Sequence, residues 1–295
     1  MSVRLFQDSG APTLYNEFMK KAKTKVMGAT LRNRRHDQYE FLNSDIYIAY
    51  RERYLQHLVK NQDMLEVAVN LDIINNAEAT YQNQKWFEEH GAKVLPVWHF
   101  GTSEEYLHRY IDEGYDYIAI GGLIPNASSV LVGPLDKLWG HTLCDAAGNP
   151  RVKIHGFAMT AFELMRRYPW YSVDSSSWLK VGAYGKIFMP KKDRRGIWRW
   201  DKNPVAFVIS EVGRGKGLGA NESPAYRRAV FDLIEECGFP IGENREIGGR
   251  LVTKKEGLIN SYLWRTKWNI FHMQKFTETL PSWPWNFRVE RHELL

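Results

Sequence analysis

Cysteine is almost absent: the chain of 295 residues has 2, Cys144 and Cys237, and neither belongs to a CxxC pair. That excludes a disulfide framework and a Cys-rich zinc site, and it predicts free thiols in a reducing compartment. No HxxxH spacing occurs either, so neither a metal nor another cofactor is expected. The chain lacks an 18-residue apolar run, which excludes an ordinary membrane helix. The stretch Met1–Gln7 is too short and too polar for a secretion signal. Internal repeats and low-complexity tracts are missing too. These absences predict a cytoplasmic protein with no membrane partner.

Hydrophobic residues make up 44%, enough for a sizeable core, and the length suits one α/β barrel. The net charge of +6, from 40 Lys+Arg against 34 Asp+Glu, is unevenly placed. Lys20, Lys21, Lys23, Lys25, Arg32, Arg34 and Arg35 form one cluster. Lys191, Lys192, Arg194 and Arg195 form a second, which runs into Trp198, Arg199 and Trp200. Bases interleaved with aromatics suit a polyanion whose flat groups can be stacked upon. A solvated basic surface has the same composition.

Short β-branched or apolar runs recur along the first two-thirds of the chain. They are Val3–Gln7, Leu65–Leu71, Val94–Phe100, Tyr117–Gly122, Val152–Phe157, Tyr171–Val173 and Ala183–Met189. Helical stretches lie between them. One spans Ala77–His90 and stops at Gly91. Thr102 with Glu105, and Thr160 with Glu163, have capping-box spacing, closed by Gly114 and Pro169 respectively. The alternation implies βαβ units and a parallel sheet. Periodicity does not count closure, so a barrel and a doubly wound sheet both fit. Beyond 190 the composition shifts. Residues 191–222 are basic and then glycine-rich, a helix follows with Ser223 as N-cap and Pro224 at N1, and Trp264–Trp285 holds four Trp and two Pro. This predicts a catalytic domain over 1–190, with 191–295 packed on it or completing it.

The strand ends carry unusual chemistry. Asp8 follows the first run, Asp72 the second, and His99 lies near the end of the third. Gly121 and Gly122 end the fourth, His155 and Met159 flank the end of the fifth, and Asp174 ends the sixth. One Asp at such a place is ordinarily a helix N-cap. Three of them, with a glycine pair between, point to a site at the C-terminal ends of the strands.

The motifs occur as an ordered series: Asp8-Ser9-Gly10-Ala11, Val69-Asn70-Leu71-Asp72, Pro96-Val97-Trp98-His99-Phe100-Gly101, Ile120-Gly121-Gly122-Leu123, His155-Gly156-Phe157-Ala158-Met159-Thr160 and Tyr171-Ser172-Val173-Asp174-Ser175. The series resembles the tRNA-guanine transglycosylase superfamily, most closely its compact phage-type branch that modifies DNA, over roughly residues 3–190. The resemblance implies a TIM-type (β/α)8 barrel and a pentosyltransferase that exchanges guanine in a nucleic acid for a free 7-deazaguanine base. It implies Asp174 as the nucleophile at C1′ and Asp8 as the acid/base group, following the logic of retaining glycosidases. It implies base recognition by Asp72 and Ser9. Gly121 and Gly122 would let backbone approach the purine, or simply make a tight βα turn. Met159 and Tyr15 would sandwich the base, or pack in the core. His99 stands where the tRNA enzymes carry glutamine, as a base contact or a structural histidine.

Two departures bear on the polymer. The tRNA enzymes hold zinc through three cysteines and a histidine in their C-terminal part, where this chain has only Cys237. The chain is also shorter. Both favour DNA over tRNA, with Lys191, Lys192, Arg194, Arg195 and Arg199 as nucleic-acid contacts, in a host cytoplasm if phage-borne. Three alternatives remain open: the same exchange on tRNA, a non-catalytic nucleic-acid-binding barrel, and a glycoside hydrolase using two of the Asp. The segment Gly213–Gly219 fits a phosphate grip or a linker.

Overall fold

The computed structural model describes residues 5–23, 34–123, 127–211 and 222–288, the side chains of 21–23 and 34–37 excepted. Of the first basic cluster, Lys25 and Arg32 and the side chains of Lys21, Lys23, Arg34 and Arg35 lie outside what is described, as does the segment Gly213–Gly219. The fold is mixed α/β, with ten α-helices among the described residues and strands paired both parallel and antiparallel. Two compact units are present: residues 1–157, 170–172 and 286–295 form the first, and 158–169 and 173–285 the second. The chain passes between them four times. Residue 190, where the composition shifts, lies within the second unit.

The first unit alternates strands and helices. In chain order come β1 (Leu5–Gln7), α1 (Ala11–Lys23), α2 (Arg34–Leu42), α3 (Asp45–Asn61), β2 (Leu65–Ala68) and α4 (Ala77–Glu89). Next are β3 (Val97–His99), α5 (Glu104–Asp112), β4 (Tyr117–Gly121), α6 (Ser128–Leu138) and β5 (Lys153–Gly156). Ser172 opens the two-residue β6 (Ser172–Val173), within which the chain leaves this unit. β1 pairs parallel with β2, and β3, β4 and β5 pair parallel in that order, with β6 next to β5. A parallel bridge from Val69 to Leu95 links the ends of the two groups. Strand neighbours therefore follow chain order without reversal.

The sequence explains these elements locally. β4 is buried at four of its five positions, the continuous apolar run of a parallel strand covered on both faces. Ser44 and Asn76 cap α3 and α4, accepting from Tyr47 N at 3.3 Å and Ala79 N at 3.0 Å. The cap of α5 is Ser103, which accepts from Glu105 N; the expected cap, Thr102, instead donates its hydroxyl to His99 O at 2.7 Å. Phe41, Tyr47, Tyr54, Leu71 and Phe87 form the heart of the core between the helices and β2. Each such burial stabilises by about 1.5–3 kcal/mol.

The second unit contains α7 (Phe162–Arg167), α8 (Ser177–Ala183), β7 (Lys186–Met189), β8 (Lys191–Lys192), β9 (Trp198–Arg199) and β10 (Val205–Val208). α9 (Pro224–Glu236), β11 (Glu243–Ile247), β12 (Arg250–Lys255) and α10 (Tyr262–Thr277) complete it. Its strand pairs β7–β10, β8–β9 and β11–β12 are antiparallel. Ser223 caps α9 as expected, accepting from Tyr226 N at 3.2 Å, with Pro224 in the first turn. Thr160 does not cap α7; its hydroxyl meets that of Ser177 at 2.8 Å. The Trp-rich tail supplies α10, whose Trp268 is fully buried with Ile187, Met189, Val230 and Ile234. Trp268 Nε1 donates to Phe188 O at 2.6 Å, and Asn269 accepts from Phe188 N and donates to Trp178 O. No helix among the described residues is long and apolar enough to cross a membrane.

Candidate active site

The parallel strands of the first unit carry their unusual residues at the same, C-terminal, end. Asp8 follows β1, Asp72 lies beyond β2, His99 ends β3 and Gly121 ends β4. Three of the expected residues meet at Asp72. Ser9 Oγ donates to Asp72 Oδ1 at 3.3 Å, and His99 Nε2 donates to Oδ2 at 2.9 Å. His99 is 4% exposed and Asp72 12%. The imidazole thus grips the carboxylate, as the structural-histidine alternative would have it.

Gly121 makes that grip possible. A Cβ there would come within 2.8 Å of His99 Cδ2, so any side chain would push the imidazole aside. Gly122 has φ +75°, and a Cβ on it would meet Phe100 O at 3.1 Å; this is the tight turn of the second expectation.

The loop bearing Asp72 is held from below by α4. Asn83 Nδ2 donates to Leu71 O at 2.6 Å, Thr80 Oγ1 accepts from Ile73 N at 2.9 Å, and Asn70 Nδ2 donates to Thr80 O at 2.8 Å. Thr80 and Asn83 are buried, although their residue types suggest a solvent face. On the other side Tyr50 donates to Ser9 O at 2.7 Å and Tyr54 to Val69 O at 2.8 Å. Burial is the main cause that pushes the Tyr54 phenol well above its usual range; the charges of Asp8 and Asp72 act in the same direction. Asp8 and Asp72 thus lie within electrostatic reach of one hydroxyl. Asp8 itself is exposed. Beside Asp72 is a cavity of about 20 Å³, lined also by Ala11, Leu14, Tyr15 and Ile74, room for about one water.

Asp174 and Met159 belong to the second unit. Asp174 follows β6 and is exposed; its Oδ1 accepts from Ala158 N at 2.9 Å. Ala158 has φ 54°, a left-handed conformation that a non-glycine residue adopts at some cost. It turns that N–H onto the carboxylate. Asp174 borders a cavity of about 530 Å³ with Thr160, Ser175, Trp178, Met273 and Gln274, within the range of small-molecule sites. Met159 is 3% exposed, so its side chain packs inside the protein.

In the second basic cluster Lys191, Lys192, Arg194 and Arg195 are exposed. Arg199 is committed to Asp201, with two bonds of 2.8 Å. Lys192 lies 4.6 Å from the Trp198 ring, and Trp198 and Trp200 pack against the second unit's core. The positioning roles of Thr80, Asn83 and Tyr50 have no sequence signature; Ala158 lies inside a recognised motif, and Trp178 lies four residues past Asp174. Compared with family models, with curated proteins and with solved structures, the chain matches none.

Proposed function

We propose that this protein is a transglycosylase that exchanges guanine in DNA for a free 7-deazaguanine base. The observation that carries the reading is the meeting of Ser9, Asp72 and His99 at the strand ends, from positions 63 and 27 apart in sequence. A carboxylate offers about four lone-pair sites. Two are engaged by Ser9 and His99, and the others suit the amino and ring N–H edge of a guanine-like base. Strand neighbours in chain order also favour a TIM-type (β/α)8 barrel over a doubly wound sheet, in which the order reverses.

In this reading Asp174 attacks C1′ of the target nucleotide. The C1′–N bond to guanine breaks as the C1′–O bond to Asp174 forms, and guanine leaves with the electron pair and a proton from Asp8. The incoming base gives its ring N–H proton to Asp8 and attacks C1′, which expels Asp174. The Ala158 N–H supports the carboxylate in both directions. The accessible cavity at Asp174 suits a group that must reach a sugar, and the target nucleotide has to leave its stack to be reached. Lys191, Lys192, Arg194 and Arg195 supply phosphate contacts, and Arg199 keeps the hairpin in shape through Asp201.

The test is co-expression with a supply of 7-deazaguanine bases, followed by mass spectrometry of nucleosides from DNA and from tRNA. A 7-deazaguanine nucleoside in DNA is the expected result. Its appearance in tRNA alone moves the polymer and keeps the chemistry, and absence from both overturns the reading.

A further inference from the structure

We infer that the β11–β12 ribbon is an arm that enters the major groove of duplex DNA; the inference rests on the DNA reading above. All of β12 is exposed, as is β11 apart from Asn244. Among the described residues each strand pairs only with the other. Strands of five and six residues reach about 17 Å at roughly 3.4 Å per residue. A two-stranded ribbon of that kind fits a groove about 12 Å wide.

The arm is built rather than loose. Its tip turns at Gly248 and Gly249, both at positive φ (+56° and +74°), the geometry of a two-residue hairpin turn. At its base Asn260 Nδ2 donates to the carbonyls of Glu243 and Lys255 and to Asn244 Oδ1, and Asn244 Nδ2 donates to Glu211 at 2.7 Å. Leu258 N and Ile259 N continue the pairing below, onto Pro240 O and Ile241 O. A fixed stem carries an exposed tip.

The two faces differ in charge. Arg245 lies across from Val252, and Ile247 across from Arg250, so alternation gathers these four on one face. That part of the face holds two guanidinium groups and two apolar side chains, with no carboxylate. Glu246, across from Leu251, lies on the opposite face, and Glu243 at the base is neutralised by Lys254 at 2.6 Å. Ile247 is 51% exposed and Val252 39%, so aliphatic surface lies beside the two arginines. Arginines that reach guanine edges or phosphates, with aliphatic groups between them for thymine methyls, are the chemistry of major-groove reading. A second copy of the chain stacked on this face would set arginine against arginine.

The experiment uses the full chain and a labelled duplex of about 30 base pairs, followed by fluorescence anisotropy across a salt series. Arg245→Gln with Arg250→Gln is expected to weaken binding at least tenfold. It should also flatten the log–log salt slope by about two, at roughly 0.9 per contact. Glu246→Gln, on the other face, should stay within about twofold of the parent. Base exchange on saturating DNA is measured in parallel. If the parent binds duplex through the ribbon but exchanges no base, the chemical reading fails and the ribbon assignment stands. If exchange proceeds and the double variant binds DNA like the parent, the ribbon assignment is overturned. Unchanged DNA affinity with a changed sedimentation coefficient overturns it as well, by making the ribbon a self-contact.

Discussion

Asp72 and Asp174 both lie at strand ends, yet their surroundings are opposite. Asp72 is 12% exposed, gripped by Ser9 and His99, and faces a cavity of about 20 Å³. Asp174 is exposed, takes a backbone N–H from Ala158, and borders a cavity of about 530 Å³. A group that recognises a flat base must already point the right way, which is what neighbouring hydrogen bonds and packing secure. A nucleophile must be reachable, with its charge held but not smothered. Under the proposed exchange reaction, the contrast suits the enclosed carboxylate to recognition and the accessible one to attack.

The comparison breaks most severely at Asp174. Asp174→Asn should reduce base exchange by about 10⁴-fold or more, and no covalent adduct should be seen by intact-mass analysis. Binding of the free base should change little. Asp8→Asn should slow exchange by about 10²–10⁴-fold. Parent-like turnover by Asp174→Asn would make that carboxylate a loop-holding group and erase the division of labour.

A finer test acts on the enclosed carboxylate through a neighbour. Gly121→Ala would drive a methyl against His99, costing about 1–3 kcal/mol of stability, and should weaken binding of free 7-deazaguanine. Adding His99→Ala should restore stability, measured by urea unfolding, without restoring base affinity, measured by calorimetry. Normal base affinity in Gly121→Ala would mean that His99 does not position Asp72.

A further expected effect concerns acid. His272 on α10 is fully buried against Phe162, Phe188 and Trp200, and burial pulls its pKa from 6.5 down to about 4. As pH falls through 6.5 the unfolded chain takes up a proton that the folded chain refuses. The associated stability is complete above that pH and is lost progressively toward pH 4, by up to about 3 kcal/mol. Amide exchange in α10 should accelerate over this window more than in α4, and His272→Leu should remove the difference. Equal acceleration in both helices would count against it.

The strand–helix rhythm was legible because parallel strands covered on both faces leave dense apolar runs, as in β4. The strand-end Asp and His were legible because polar residues interrupt those runs. Side-chain partners were harder. Thr102 and Thr160 match a capping pattern, but other partners, His99 O and the Ser177 hydroxyl, engage their hydroxyls. Thr80 and Asn83 look like a helix's wet face, yet they are buried because the Asp72 loop needs its backbone groups satisfied. In α10 the buried Arg265, Asn269 and His272 break up the apolar stripe, which hid a central helix inside what composition suggested was an appended tail. The β11–β12 ribbon escaped notice because its mixed, exposed residues carry no core signal.

The four crossings between the units have a further consequence. Residues 170–172 and 286 onward return to the first unit, where Asn286 Nδ2 donates to Ala147 O and Phe287 N to Gly148 O. Neither unit is a single stretch of chain, so no cut, truncation or gene fusion liberates one of them whole. The protein is laced, not modular. New specificity must enter it by single substitutions or by outgrowths between fixed anchor points, as the ribbon rises between Pro240–Ile241 and Leu258–Ile259, and not by exchange of a domain.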